Sequence, residues 1–337
     1  MGKRTTTMVA VLTALFAAAA ARADDAVDLA AARREGSIVW YSSLPIDVAQ
    51  KLATLFEEKS GIKVELFRSG GTAILRRFLQ ERDSGRVMAD VLYTADPAAT
   101  ASLAHKGAFV AFKPKNFDKI DDVAKDPQGY YVALRLNMIT LFVRADEIAP
   151  ADVPKSWAAL ADARYKGKLV IADPSFTAVQ VAVVGTLAKR LGWSYYEALR
   201  RNDAIVVPGN QQLADMLKRG ERLVAAGGLD SYAFEARKAG HKIDSIYPSD
   251  GGFAVPGPVA VVQGSPHPNA AKAFAEFLVG DDVQRLVVAE GAYSARRDLP
   301  PPAGAPALAD IKLTAVDYDA IEREAGAIKK KFNDVFQ

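Results

Sequence analysis

Two short segments put glycines and hydroxyls where a strand gives way to a helix: Ser69-Gly70-Gly71-Thr72 and Asp173-Pro174-Ser175-Phe176-Thr177. Glycine allows close backbone approach and hydroxyls donate hydrogen bonds. The helix beyond adds free N–H groups and a partial positive charge. That chemistry suits a carboxylate, phosphate or phosphonate, and two such junctions face to face would clamp one. Each junction taken alone is equally explained as a helix cap. Tyr41, Ser42 and Ser43 leave one strand, and Thr94, Ala95 and Asp96 leave another, on the same sheet edge. They read either as a hydroxyl-rich border for a polar ligand or as ordinary turn chemistry. Arg135 stands inside the apolar run V-A-L-R-L-N-M-I, where a charge is costly unless it pairs or faces a cleft. In a cleft its guanidinium would hold an anion by two parallel hydrogen bonds. The competing role is a structural salt bridge to an acidic neighbour.

Catalytic and metal chemistry find less support. The chain has no cysteine, which removes disulfides, thiolate metal sites and cysteine nucleophiles together. His105, His241 and His267 are scattered without metal-ligand spacing and read as surface or capping residues. No G-x-S-x-G elbow, H-E-x-x-H pair or carboxylate pair flanking a histidine occurs. The expectation is a chain without catalytic residues, metal or cofactor. Tyr195-Tyr196 fall in G-W-S-Y-Y-E-A-L-R-R, an amphipathic helix, and read as packing. Phe253 lines the cleft or packs at a hinge, both readings remaining open. Trp40, Trp157 and Trp193 fit strand and helix packing.

The elements that must position these residues alternate β-branched runs with amphipathic helices, the pattern of an α/β protein. Strands are expected at 37–43, 62–67 and 89–93, with helices at 47–59 and 72–82, the first ended by Gly61. A second set has strands at 168–172 and 223–226, with helices at 177–191, 210–219 and 230–239. Two long β-prone stretches, 130–144 and 253–263, lie between and after the sets and read as hinge crossings. Helices at 268–279, 281–290 and 316–336 complete the chain, with the proline-rich 300–306 as a connector.

Lys3 and Arg4 precede an apolar run from Met8 to Ala20 and the small-residue pattern Ala21-Arg22-Ala23. This predicts a signal peptide cleaved after Ala23 and export to the periplasm. No later stretch reaches the ~20 apolar residues of a membrane-spanning helix. Removing Lys3, Arg4 and Arg22 from the 43 basic residues leaves them equal in number to the 40 acidic ones. A balanced charge without a basic stripe argues against nucleic-acid or membrane-surface partners.

Several motifs in order carry a resemblance to a known family: V-W-Y-S-S at the first strand, F-R-S-G-G-T, A-D-V-L-Y-T-A-D-P, K-G-K-L-V-I-A-D-P-S, and V-A-V-V-Q-G-S-P-H-P-N-A-A-K-A-F-A-E-F-L. Across nearly the whole mature chain the sequence resembles the type 2 periplasmic solute-binding proteins of ABC importers. Within them it resembles the branch of ferric-iron-binding proteins and their relatives for phosphonates and sugar phosphates. The resemblance implies an α/β fold of two lobes, each a mixed sheet flanked by helices, joined by two crossing hinge strands. Lobe 1 would comprise 24–134 and 259–312, and lobe 2 would comprise 135–258, with a C-terminal helix in 313–337 packing on lobe 2. It also implies a monomer that closes on a small anionic solute and docks on a transmembrane permease. The ferric-binding members carry two adjacent tyrosines after the strand-turn that here reads A-A-G-G-L-D-S-Y-A-F, so Ser231 and Tyr232 take their place. Leu44 and Pro45 stand where those members have a histidine. Iron held by Tyr41, Tyr232 and a synergistic anion is the alternative, and a secreted hydrolase a more remote one.

Overall fold

Among residues 26–337, which the computed structural model of the protein describes, eleven α-helices alternate with ten strands. The expected signal peptide, 1–23, lies outside the described residues. In chain order the elements are α1 (Leu29–Glu35), β1 (Ser37–Ser42), α2 (Ile46–Ser60), β2 (Lys63–Arg68), α3 (Gly71–Asp83), β3 (Val91–Tyr93) and α4 (Pro97–His105). The long strand β4 (Val132–Arg144) leads to β5 (Leu169–Ala172), α5 (Ala178–Leu191), α6 (Trp193–Arg201), β6 (Ile205–Val207) and α7 (Asn210–Lys218). Then come β7 (Val224–Leu229), α8 (Asp230–Lys238), β8 (Ile243–Ile246), β9 (Phe253–Val261), α9 (Pro268–Leu278), α10 (Asp281–Ala289), β10 (Tyr293–Ser294) and α11 (Tyr318–Phe336).

The helices form where apolar residues recur at helical spacing, as on α2, whose Ala49, Leu52, Ala53 and Phe56 are buried. Gly61 ends it in the left-handed conformation and returns its N–H to Glu57. Five short elements have no expected counterpart: α1, α4, β6, β8 and β10. α4 carries little periodicity, and the Asp96-Pro97 pair that starts it is a capped helix N-terminus.

The strands join in the order β2-β1-β3-β9-β4-β7-β5-β6, with β8 and β10 each pairing β4. β1, β2 and β3 run parallel, as do β5, β6 and β7, while β4 and β9 run antiparallel to their neighbours. The fold is thus two-lobed, and β4 and β9 are the crossings that belong to both lobes. One apolar core gathers Trp40, Phe56 and Phe274, the rings of Trp40 and Phe274 meeting edge to face at 4.9 Å. Another gathers Trp157, Tyr196, Phe253 and Phe332, and Phe253 packs edge to face on Trp157 at 5.7 Å. Phe253 is therefore core packing at the crossing.

Between Ala133 and Arg135 the β4–β9 register slips, leaving Leu134 bulged. The freed Leu134 carbonyl accepts from the Gln284 amide at 2.9 Å, and Gln284 is oriented by the Ser294 hydroxyl. Opposite the bulge stands Pro256-Gly257-Pro258, where prolines donate no ladder bonds. A Cβ on Gly257 would lie 2.4 Å from the Tyr93 hydroxyl, so only glycine leaves Tyr93 its place.

Asp90 ties the first lobe together. Fully buried just before β3, it accepts the Val39 N–H at 2.7 Å, the Ser265 hydroxyl at 2.6 Å, the His267 N–H at 3.0 Å and His267 Nδ1 at 2.9 Å. His267, expected at the surface or in a cap, heads α9 and spends its ring on this carboxylate. Asp90→Ala would bury the Val39 and His267 donors without an acceptor, at a cost of about 3 kcal/mol. Urea unfolding is expected to show that loss, and a change below ~1 kcal/mol would mean the network contributes little.

Candidate functional site

At the carboxyl ends of the parallel strands, where β4 and β9 cross, lies a cleft of about 480 Å³. Four helices open onto it by their N-termini: α2 at Pro45-Ile46-Asp47, α3 at Gly70-Gly71, α5 at Thr177-Ala178-Val179 and α7 at Gly209-Asn210-Gln211-Gln212. None of the four has a side-chain cap, in contrast to α1, α4 and α11, which are capped by Asp28, Asp96 and Asp317. Uncapped first turns leave N–H groups and the positive end of the helix dipole for whatever enters.

Two arginines line the same space. Arg135, 6% exposed, projects from the β4 bulge, and its Nε donates to the Tyr93 hydroxyl at 3.3 Å. No carboxylate lies within ion-pair distance of it among the described residues. Arg68, at the end of β2, is steadied by its Nε donating to the Leu44 carbonyl at 2.9 Å. Tyr232 of α8 lies between their fields: burial raises its phenol pKa, while Arg135 and Arg68 pull it down. The Ser43 hydroxyl lines the cleft and has no hydrogen-bond partner. Asp47 and Glu235 supply the acidic side chains of the lining, and Phe176, 62% exposed, an apolar wall.

Of the residues picked out in the sequence, Ser43, Gly70, Gly71, Arg135, Thr177 and Tyr232 line the cleft together. The others do not. Tyr41 packs among Ile74, Phe78 and Leu92 on the other side of its strand. Its hydroxyl donates to Glu81 at 2.5 Å, and burial with that carboxylate pushes its pKa up to about 12. β1 ends at Ser42, so Ser43 lies beyond the regular strand and is not held on the face that Tyr41 presents. Ser42 is buried and accepts the Leu44 N–H, while the Ser69 N–H donates to the Ser42 carbonyl. Thr72 is exposed on the outer side of α3. Thr94 meets Thr100, and Asp96 caps α4, so both serve the turn. Asp173 closes its own turn on the Ser175 N–H at 2.6 Å, and the Ser175 hydroxyl accepts from Asn333 of α11. Ser231 is buried in the first turn of α8. Tyr195 and Tyr196 lie in the second core, as the helix pattern indicates.

The sequence reading missed Arg68, Tyr93, Asp47, Glu235 and the α7 N-terminus. The last had the signal used elsewhere, a glycine between strand and helix in V-P-G-N-Q-Q, but β6 before it is only three residues long.

Comparisons with known proteins show what this chain is similar to. A family profile described as bacterial extracellular solute-binding protein matches residues 87–324. A putative 2-aminoethylphosphonate-binding periplasmic protein of Salmonella typhimurium is 27% identical over 243 residues, 69% of each chain. A probable ABC transporter periplasmic-binding protein of Sinorhizobium fredii is 24% identical over 240 residues, 68% of this chain and 66% of the other. Among solved structures, the periplasmic binding protein AfuA from Actinobacillus pleuropneumoniae with fructose-6-phosphate superposes with a TM-score of 0.78. It is 22% identical and covers 89% of this chain and 98% of its own.

The cleft brings Tyr93 and Tyr232 to a space shared with two arginines, and fixed positive charge opposes a trivalent cation. Adding ferric citrate to the purified protein is therefore expected to give no visible phenolate-to-iron absorption. A coloured, stoichiometric complex would overturn that expectation.

Proposed function

This chain belongs to the family of bacterial extracellular solute-binding proteins, and on that footing we propose that it captures a small anionic solute in the interlobe cleft for an ABC importer. Proteins of this family are the periplasmic binding components of transporters rather than enzymes. The observation that carries the anion reading is Arg135, a buried guanidinium open to the cleft and without a carboxylate in ion-pair range. A buried charge without a partner is unfavourable, and a solute anion removes that penalty on docking. Two-pronged hydrogen bonding from Arg135, help from Arg68 and the four bare helix N-termini would then hold a phosphonate, a phosphate ester or a carboxylate. Ser43 lines the same cleft, and its buried hydroxyl has no hydrogen-bond partner.

Asp47 on α2 and Glu235 on α8 favour a cation at the other end of the solute. A zwitterion with an anionic head and an ammonium tail matches both ends, in keeping with the name of the Salmonella relative. Lobe 1 spans 24–134 and 259–312 in this reading, and lobe 2 spans 135–258 with the helix in 313–337. The hinge bends at β4 and β9, and the solute shifts the population from open to closed. The protein acts as an exported monomer that docks on a transmembrane permease.

A thermal-shift screen of residues 24–337 against phosphonates, sugar phosphates and carboxylates is expected to show a rise with one anion class. A ligand at a hundred times its Kd adds about 2.7 kcal/mol to the stability of the native state. Arg135→Ala is expected to weaken that ligand by at least about thirtyfold, the effect of removing one partner of a buried charged pair. Affinity retained within a few-fold would make Arg135 structural and end the anion reading. Glu235→Gln is expected to weaken 2-aminoethylphosphonate more than ethylphosphonate, and equal losses would exclude the ammonium contact.

A further inference from the structure

Four charged side chains are buried among the described residues: Asp90, Arg135, Asp230 and Arg296. Two of them are fully served. Asp90 collects four donors, and Arg296 is gripped by Asp298 at 2.9 and 2.7 Å and by Asp281. Arg135 and Asp230 are not. Asp230, 4% exposed in the first turn of α8, has one oxygen with no hydrogen-bond partner, and its other oxygen accepts only from the Tyr247 hydroxyl, at 3.4 Å. It stands one residue beyond Leu229 and two before Tyr232, both of which line the cleft, so it sits directly behind the wall that Arg135 faces.

Arg135 acts on Asp230 through its charge, yet no ion pair joins them. A carboxyl in that position has two poor options: ionised, it is desolvated with one oxygen unpartnered; neutral, it leaves Arg135 uncompensated. We infer that an anion docking on Arg135 drives a proton from solvent onto Asp230, so that solute capture in this cleft is linked to proton uptake. The inference rests on the anion reading above.

The groups around Asp230 fix the sign. Burial raises its pKa to about 8, and Arg135 is the first of the influences that lower it, ahead of the Tyr247 hydrogen bond, the Ser231 N–H and Arg237. Arg237, further along α8, spends a donor on the Ile243 carbonyl, and Tyr293 of β10 reaches Tyr247 at 3.2 Å and the Pro306 carbonyl at 2.8 Å. The hydroxyls of Tyr247 and Tyr293 are themselves held neutral, since burial raises both. Arg135 is thus the partner whose charge a solute neutralises. Once it is neutralised, the ionised form of Asp230 loses its main support and the neutral acid is favoured. The proton comes from the buffer and forms an O–H on Asp230, and no bond is made to the solute. Affinity therefore falls as pH rises through the range in which free Asp230 ionises.

Isothermal titration of the mature protein with 2-aminoethylphosphonate, at about pH 8.5 in two amine buffers of different ionisation enthalpy, reads this directly. The expected result is an apparent binding heat that differs between the buffers by the equivalent of roughly half a proton or more taken up. Kd is expected to rise several-fold, at most about tenfold, between about pH 7 and 9. Asp230→Asn, which keeps the shape and removes the titration, is expected to erase both the buffer dependence and the pH slope. Identical heats in both buffers for the wild-type protein overturn the linkage alone, and that result needs no variant to fold. A cleft that binds no phosphonate, phosphate ester or carboxylate overturns the anion reading itself and the linkage with it.

Discussion

The pairing of β4 with β9 is the constraint on which the rest of the molecule hangs. Each strand serves both lobes, and twelve of the thirteen residues of β4 are buried. Such a ribbon tolerates little irregularity, yet it carries a bulge at Leu134 opposite Pro256-Gly257-Pro258. The bulge redirects Arg135 towards the cleft, Gln284 satisfies the carbonyl it frees, and glycine at 257 lets Tyr93 reach the guanidinium. Three local departures from strand regularity thus converge on one side chain. Bulges and strand glycines are the usual means by which a sheet re-aims a side chain, and here they put a buried guanidinium where β4 and β9 cross.

That placement joins electrostatics to movement. The helix N-termini around the cleft come from both lobes, α2 and α3 from one and α5 and α7 from the other. Their dipoles are fixed by backbone hydrogen bonding and need no reorganisation when an anion arrives. A solute held by both sets and by Arg135 gains most when the lobes are near each other, so binding and closure favour one another. Arg296 shows what a merely structural buried arginine looks like in this fold, with two carboxylates in place. The contrast separates Arg135 from packing chemistry more firmly than burial alone does.

Much of this was legible in the sequence, because periodicity reports burial and burial follows from the sheet-and-helix layers. The amphipathic helices, the two crossings and the expected strands other than β7, which runs three residues past its expected end, sit within a residue or two of where their patterns place them. The cleft residues divide by a different rule. Gly70, Gly71 and Thr177 were readable because a strand-to-helix junction at a sheet's carboxyl edge always turns its amides outward. Ser42, Thr94, Asp173 and Ser175 have the same chemistry but spend it on their own turns, which depends on rotamers and on α11 arriving from far along the chain. Tyr41 was misplaced because β1 ends at Ser42 and only the residue beyond it reaches the cleft, and Arg68 and Tyr93 were overlooked because each ends a strand, where the pattern is silent about direction.

The C-terminal helix touches elements on both sides of the cleft. α11 packs on α5 and α6, and it also meets α4 across the division between the lobes. Its contacts with the second lobe are apolar: Phe332 lies against Tyr196 at 5.9 Å, and Gly185 leaves room for Ile321 and Ile328. Towards the first lobe it presents Glu322 and Lys329 to the charge of Asp96. The helix thus joins α5 and α6 through apolar area and meets α4 beside the buried Asp96 carboxylate.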